Sequence, residues 1–571
     1  NSTARACATA TNVLPTMDMD MDLDRDALLL IASSSSLAAL AIASLIWFLW
    51  RRSGKKSRKL PLPPGPRGWP VLGNLPQLGA KPHHTMAALS RQHGPLFRLR
   101  FGSAEVVVAA SAKVASIFLR THDANFSDRP PNSGAEHVAY NYQDLVFAPY
   151  GARWRALRKL CALRIFSAKA LDALRAVREE EVGLMVAQLY AHASSSSSEG
   201  VAVGQEANVC ATNALARAAV GRRVFGGSAA AAGEGAKEFK DMVVELMQLA
   251  GVFNIGDFVP ALRWLDPQGV VAKMKRLHRR YDGMMDGFIS EREGKQHGGG
   301  DGDNKDLLSV MLMGGEGDQE AEEGMSSFNH TDIKALLLNL FTAGTDTTSS
   351  TVEWALAEVI RHRDVLAQAQ RELDDVVGKD RLVTESDLPR LTFLAAVIKE
   401  TFRLHPSTPL SLPRVAAEDC EVGGYRVPKG TTLLVNVWAI ARDPASWGPD
   451  ALEFRPARFL PGGSHEGVDV KGSHYELIPF GSGRRICAGL SWGLRMVTLI
   501  TATLLHAFDW SLLPAVNNGG IILTPPDKLD MEEAYGLTLQ RAVPLMLHPV
   551  PRNRKLRRGP GADGQTSEPS T

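Results

Sequence analysis

The chain has 571 residues, of which 44% are hydrophobic and 22% charged, so it can bury a large core and is not disordered as a whole. A formal net charge of +2, with basic residues mostly interspersed among acidic ones, argues against a dedicated nucleic-acid binder. The five scattered cysteines argue against a disulfide framework or a zinc-binding spacing and fit a reducing compartment.

The N-terminal part of the chain is predicted to be a membrane anchor. Residues 1–26 are an extension with an acidic repeat, and residues 27–50 are an uncharged apolar run long enough to span a hydrocarbon core of about 30 Å. The basic residues that follow at once place the rest of the chain in the cytosol by the positive-inside rule. A cleaved signal peptide is the alternative, but the charge order is reversed and no small-residue cleavage site follows.

Residues 51–70 are predicted to be a basic stop-transfer segment followed by a proline hinge, and residues 71–551 a single domain that is mainly α with small β-sheets. The pattern predicts two strands at 97–101 and 105–109, joined by a glycine-containing turn. Helical periodicity dominates the rest, and the predicted helices span 152–163, 167–190, 270–293, 333–361, 391–404 and 490–508. Solvated or disordered segments are predicted at 194–198, 226–235, 297–304 and 552–571.

Two helical patterns carry chemistry only in the right context. Trp154 and Arg158 lie one helical turn apart, which alone is more typical of a core tryptophan beside surface arginines. In helix 333–361, the stretch 343–348 contains a glycine and several threonines, whose hydroxyls can bond back to the i−4 carbonyl and bend the helix. Asp346 and Thr347 beside an opened turn can hold a water and relay protons, although a threonine-rich turn is more often only packing.

Two further patterns lie nearer the C-terminus. Glu400 and Arg403 form an i,i+3 charge pair, worth only tenths of a kcal/mol if exposed. Cys487 lies in a turn rich in glycine and arginine just ahead of helix 490–508. Arg484, Arg485 and the helix N-terminus are expected to lower the pKa of this thiol and so produce a soft metal ligand. The alternative is an anion-binding turn with an incidental buried cysteine.

The segment 479–489 resembles the haem-binding loop of the cytochrome P-450 superfamily, because its fixed places are filled by Phe480, Gly483, Arg485, Cys487 and Gly489. The resemblance implies the P-450 fold and a haem b cofactor whose iron has Cys487 as its axial thiolate ligand. It also implies that Thr347 hydrogen-bonds dioxygen at the haem and that Asp346 supplies protons. The residues implied to bind the haem are Trp154, Arg158, Arg414, Phe480, Arg485 and Gly489.

The same resemblance gives a structural role to three charged residues. Glu400, Arg403 and Arg458 are implied to form a buried network under the proximal side of the haem. Ala457 stands where the family usually has glutamate, a change that leaves the required arginine in place.

Four stretches, at 125–130, 253–258, 467–472 and 535–542, resemble the flavonoid 3'-hydroxylase branch of the superfamily. The resemblance implies that the B-ring of a flavonoid is hydroxylated with O2 as co-substrate. Because the chain has no flavin or nicotinamide fingerprint, electrons are expected from NADPH through NADPH–cytochrome reductase in the endoplasmic reticulum membrane. The implied substrate-pocket residues are Thr408, Leu410, Leu537 and Thr538.

Thr538 favours the 3' branch, since the 3',5' branch tends to have alanine there. Three alternatives stay open: a 3',5'-hydroxylase or another phenylpropanoid hydroxylase, a haem-thiolate enzyme that uses no O2, and a non-catalytic membrane haem protein.

Overall fold

The computed structural model describes residues 60–195, 200–225, 233–297, 306–313, 328–513, 515–517, 520–522 and 525–552. The predicted anchor at 27–50, the extension before it and the basic residues 51–59 lie outside these ranges, as do most of the predicted loops and the tail from 553. Within the described ranges, no helix has both the length and the hydropathy needed to cross a membrane.

Helices make up most of the fold, in agreement with the predicted class. The α-helices are α1 (Pro82–His93), α2 (Ala112–Ser116), α3 (Ser133–His137), α4 (Ala152–Cys161), α5 (Ala168–Ala173), α6 (Arg175–Ser194), α7 (Val203–Val220), α8 (Gly233–Ala250), α9 (Ile255–Phe258), α10 (Val270–His297), α11 (Leu307–Leu312), α12 (His330–Ala343), α13 (Asp346–Arg361), α14 (Arg363–Val377), α15 (Thr392–Leu404), α16 (Val437–Ile440), α17 (Pro444–Trp447) and α18 (Leu490–Ala507).

The strands are short, and within the described residues they form five small sheets. They are β1 (Leu96–Phe101), β2 (Ala104–Ala109), β3 (Val201–Ala202), β4 (Arg414–Val415), β5 (Cys420–Val422), β6 (Tyr425–Val427), β7 (Thr432–Val435), β8 (Phe508–Leu512), β9 (Ala515–Asn517), β10 (Gly520–Ile522), β11 (Glu533–Ala534), β12 (Gln540–Arg541) and β13 (Met546–Pro551). The largest sheet has the order β1-β2-β7-β4, in which only β2 and β7 are parallel. A second sheet has the order β3-β13-β8, and the pairs β5–β6, β9–β10 and β11–β12 form the others.

The predicted helices exist, but two are interrupted. The segment 167–190 divides at Leu174 into α5 and α6, and the segment 333–361 divides after Ala343 into α12 and α13. At the second break Gly344 is required by packing, because a Cβ there would lie 2.6 Å from Leu215 Cδ2 and 2.7 Å from the Leu340 carbonyl oxygen. The back-bonding hydroxyls predicted for this stretch are present, and Thr345 Oγ1 donates to the Phe341 carbonyl at 2.7 Å.

Helix α13 runs through the centre of the helical core. It packs against α7, α15 and α18, and nearly all of its side chains are buried, including the consecutive residues Ala355, Leu356 and Ala357. Aliphatic residues on several sides of one helix are expected when other helices surround it. The break between α12 and α13 therefore lies in the interior.

Both ends of the described chain are bonded to the folded unit, which starts at Pro61. The Pro64 carbonyl accepts the Arg98 N–H of β1 at 2.7 Å, and a Cβ on Gly65 would lie 2.0 Å from the Arg98 oxygen, so only glycine fits there. At the other end, the Arg552 N–H donates to the Ala507 carbonyl at 2.9 Å. The first residue of the predicted tail thus belongs to the fold.

Candidate active site

The cysteine loop is a tight turn that leads into α18. Gly483 has a φ of +72°, and a Cβ at this position would lie 2.3 Å from Asp123 Oδ1. The Cys487 N–H donates to the Phe480 carbonyl at 3.0 Å, and the Phe480 ring packs edge-on against Phe402. These contacts fix the direction of the cysteine side chain.

Cys487 is accessible, yet protein atoms surround its thiol closely enough for burial to raise the pKa. The Gly489 N–H and the charge of Arg158 oppose this rise in pKa. The expectation that Arg484 and Arg485 lower the pKa is wrong, because both guanidiniums are bonded elsewhere.

Those two neighbours have different environments. Arg485 is buried and donates to the carbonyl oxygens of Ser127 and Ala148 at 2.7 and 2.6 Å. Arg484 is exposed and bonds to Asp123 and to the Tyr150 hydroxyl. Their proximity to Cys487 in sequence therefore gives no direct interaction with its thiol.

Three buried or half-buried arginines lie together near this loop. Arg414 Nη2 donates to the Ser482 carbonyl at 2.8 Å. Among the described residues, Nη1 of Arg414 and Nη1 of Arg485 have no hydrogen-bond partner, and Asp123 Oδ1 lies 3.6 Å from Arg414 Nη1 in a longer ion pair. Burial lowers the pKa of both side chains to about 10. Burial, Arg414 and Arg485 together hold the pKa of Arg129 well below its ordinary value.

The unsatisfied N–H groups of this arginine cluster indicate what kind of cofactor the site can bind. Buried cations with unsatisfied N–H groups are costly unless an anion pairs with them. Two carboxylates would supply the missing acceptors, so the donor set fits the propionates of a haem placed beside Cys487. Sequence reasoning missed Arg129, although this residue lies in the stretch 125–130 that resembles the flavonoid 3'-hydroxylase branch.

Trp154 supports this cluster from one side. Its indole N–H donates to the Leu145 carbonyl at 3.0 Å, so in this conformation it does not donate to a ligand. The guanidiniums of Arg158 and Arg485 lie 5.4 and 4.6 Å from the centroid of its ring. Trp154 therefore positions two arginines through cation–π contacts, while direct binding of haem by Trp154 and Arg158 stays a prediction.

Glu400, Arg403 and Arg458 form one buried ion-pair network. Arg403 Nε and Nη2 donate to the two Glu400 oxygens at 2.7 and 2.8 Å, a bidentate arrangement. Arg458 Nε donates to Glu400 Oε1 at 2.9 Å. The pair is therefore not the weak exposed pair that the i,i+3 spacing alone permits, and it joins α15 to the segment that follows α17.

The acid and the alcohol are the first two residues of α13, directly after the helix break, and their side chains have different partners. Thr347 Oγ1 donates to the Ala343 carbonyl at 2.7 Å, and both residues are accessible although their helical neighbours are buried. Asp346 is buried and accepts hydrogen bonds from Thr538 Oγ1 and, at 2.7 Å, from Gln540 Nε2. Burial raises the pKa of Asp346. A buried carboxyl with a raised pKa and an accessible hydroxyl are thus adjacent in the chain.

A cavity of about 150 Å³ lies beside the largest sheet. Its lining is mostly apolar and includes Leu410 and Leu537, with Thr408 and Ser411 as hydroxyl donors. Three of the four predicted pocket residues are therefore in its wall. Thr538 is not, because its side chain points to Asp346 instead, which corrects the prediction for this residue.

The comparison with known families decides the identity of the fold. The cytochrome P450 family model matches residues 63–531. The chain belongs to the cytochrome P450 family. A zebra fish cytochrome P450 solved with abiraterone has a TM-score of 0.64 and 25% identity to this P450, and the match covers 83% of this chain and 100% of that one.

Relatives with named activities cover nearly all of this P450. It is 72% identical over 526 residues to a flavonoid 3'-monooxygenase of Oryza sativa subsp. japonica, covering 90% of this chain and 97% of the relative. It is 55% identical over 524 residues to a flavonoid 3',5'-hydroxylase of Crocosmia x crocosmiiflora, covering 90% and 96%. The chain is a monooxygenase, and its family implies haem-thiolate chemistry with O2 and electrons from a reductase.

Proposed function

We propose that this P450 hydroxylates the 3' position of the flavonoid B-ring. The observation that carries the proposal is the 72% identity, over nearly the full length of both chains, to a flavonoid 3'-monooxygenase. The proposed conversions are naringenin to eriodictyol, dihydrokaempferol to dihydroquercetin, kaempferol to quercetin and apigenin to luteolin. The 3',5'-hydroxylase relative at 55% identity makes a second hydroxylation the main alternative product.

The cavity supports a planar phenolic substrate. Phenylalanines at 101, 147, 253 and 258 contribute to its wall, and aromatic faces bury flat rings well. Thr408 and Ser411 are the polar groups that can orient hydroxyls of the substrate. Ser411 has a φ of +53°, an unusual value for a residue other than glycine, so the loop holds this side chain in a defined direction.

The cofactor proposed for this site is haem b, held by Cys487, by the haem-loop residues Phe480 and Gly489, and by the arginine cluster around Arg414 and Arg485. When bound, it supplies O2 activation with electrons from NADPH, delivered by NADPH–cytochrome reductase. The Thr347 hydroxyl donates a hydrogen bond to the Ala343 carbonyl, so its oxygen is left to accept a hydrogen bond from a water or another donor. Asp346 is the proton donor next to it in the chain.

We also propose a location for the enzyme. Residues 27–50 are an apolar run with an acidic segment before it and basic residues after it. This order supports a single-pass anchor in the endoplasmic reticulum membrane, with the catalytic domain and its reductase on the cytosolic side.

The test is product analysis in microsomes that contain the full chain and the reductase. Naringenin and NADPH are expected to give eriodictyol as the main product. Absence of eriodictyol would contradict the 3' assignment, and a trihydroxylated B-ring as main product would favour the 3',5' alternative. Thr347→Ala is expected to lower the product formed per NADPH oxidised, and unchanged coupling would remove Thr347 from the mechanism.

A further inference from the structure

The segment 535–541 connects two parts of the site that the sequence places far apart. Its alternate residues Thr538 and Gln540 both donate to Asp346, one to each carboxylate oxygen. We propose that Thr538 and Gln540 are positioning residues, which hold the Asp346 carboxyl for proton delivery and do not contact substrate. The proposal rests on the proton-donor role of Asp346 given above.

Thr538 and Gln540 reach one partner from two neighbouring positions. Gln540 lies in β12 and Thr538 in the bend just before it, and both side chains point to the start of α13. The intervening Leu539 is buried, and its carbonyl accepts Ser350 Oγ at 2.8 Å and Trp354 Nε1 at 3.3 Å. Its N–H donates to the Ser407 carbonyl at 2.8 Å. The segment is thus fixed at Leu539, between Thr538 and Gln540, to α13 and to the loop that follows α15.

These two donors are the groups that oppose the effect of burial on the acid. Burial raises the pKa of Asp346, and the hydrogen bonds from Thr538 and Gln540 lower it. The charged neighbour on the same helix, Glu353, is itself bonded to the Leu545 N–H and influenced by Arg541. Removal of either donor therefore strengthens the proton affinity of Asp346 and frees its side chain to turn.

The other end of the segment lines the cavity. Tyr535, Gly536 and Leu537 are in the cavity wall, and Leu537 precedes Thr538 directly. The end of α8 packs so closely here that a Cβ on Gly251 would lie 2.3 Å from the Leu537 nitrogen. A substrate that packs against Leu537 therefore contacts the same segment that holds the Asp346 carboxyl. A change at Thr538 can thus alter how the substrate is bound without any contact between Thr538 and the substrate.

The first experiment separates positioning from substrate contact. Thr538→Val keeps the shape of the side chain and removes its hydroxyl. The product formed per NADPH oxidised is expected to fall by about tenfold, which corresponds to the loss of one weak charge-assisted hydrogen bond. Substrate affinity, measured as a spectral titration, is expected to change less than about twofold. Thr538→Ser restores the hydroxyl and should restore coupling. Thr503→Val, a buried α18 threonine bonded only to the Leu499 carbonyl, should leave coupling unchanged.

The second experiment needs no turnover. A buried carboxyl with a raised pKa lowers the unfolding free energy as the pH rises from the ordinary aspartate pKa to the raised one. Thr538→Val should raise the pKa of Asp346 further. The decrease in unfolding free energy should therefore continue to a higher pH in this variant than in the wild type. In an Asp346→Asn background, Thr538→Val should no longer change the pH dependence. A pH effect that persists without Asp346, or a loss of substrate affinity with intact coupling, would overturn the proposal. Failure to oxidise naringenin would reject the proposed substrate and leave this measurement unaffected.

Discussion

Arg414→Gln tests whether the arginine cluster is built to receive the carboxylates of a haem. Burial lowers the pKa of Arg414 to about 10 from an ordinary value of 12.5. At about 1.4 kcal/mol per tenfold change in acid dissociation, the buried charge costs the haem-free fold about 3 kcal/mol. Since the lowered pKa belongs to a base, this cost is fully present at neutral pH and is relieved only as the pH rises above about 10.

The substitution is expected to affect the haem-free and the loaded form to different extents. In the haem-free form it removes that cost and loses the bond to the Ser482 carbonyl, worth about 1.5–3 kcal/mol, so stability changes by less than about 2 kcal/mol. In the loaded form it also loses the hydrogen bond that Arg414 Nη1, which lies 3.6 Å from Asp123 Oδ1 and makes no hydrogen bond among the described residues, would make to a haem carboxylate. Haem affinity should therefore fall by about 1.5–3 kcal/mol, or about 10- to 100-fold.

The assay is transfer of haem to an excess of haem-free globin, followed by absorbance, together with urea unfolding of both forms. The matched control is Arg484→Gln. Arg484 is exposed and, like Arg414, forms an ion pair with Asp123. This control substitution should change the transfer rate by less than about twofold. An unchanged transfer rate for Arg414→Gln, or equal destabilisation of the loaded and haem-free forms, would refute the reasoning.

Three more outcomes follow from the site. Glu400→Gln leaves two buried arginines without their carboxylate and should lower the unfolding free energy by about 3–5 kcal/mol. Its control is Asp419→Asn, in the exposed pair with Arg426, which should lower the unfolding free energy by less than about 1 kcal/mol. Similar losses for the two variants would contradict the argument from burial. Cys487→Ser should abolish the haem-thiolate carbon-monoxide spectrum while the protein stays folded by circular dichroism, and a retained spectrum would remove Cys487 as the ligand. Because burial raises the pKa of Asp346, the unfolding free energy of the wild type should decrease as the pH rises just above the ordinary aspartate pKa. Asp346→Asn should abolish this decrease. Identical pH profiles of unfolding free energy for the wild type and the variant would contradict the raised pKa.

The sequence predicted those parts of the site that depend on neighbours in the chain. The opened turn at 343–348 follows from Gly344 and the threonine hydroxyls, which reach carbonyls four residues back. The pairing of Glu400 with Arg403 follows from their i,i+3 spacing on α15. In both cases the interacting atoms lie within one helical turn, so the local pattern determines the geometry.

The parts that the sequence could not predict depend on distant backbone atoms. Arg485 turns away from Cys487 because the carbonyls of Ser127 and Ala148 accept its N–H groups, and these residues are remote in sequence. Thr538 faces Asp346 because Leu539 is fixed to α13, which decides which side of the segment faces the acid. The residues next to Thr538 and Gln540 in the chain do not determine which partner lies there.

The relation between Asp346 and Thr347 follows from helix geometry. Successive residues on an α-helix point about 100° apart, so Asp346 is buried against Thr538 and Gln540 while Thr347 is accessible on the same side as Ala343, one turn earlier. A proton on Asp346 therefore reaches the Thr347 side only if the carboxyl turns or a water lies between them. In the proposed mechanism, Thr538 and Gln540 set the free energy of that rotation of the carboxyl, so the rate of proton delivery depends on residues outside the helix that contains the acid.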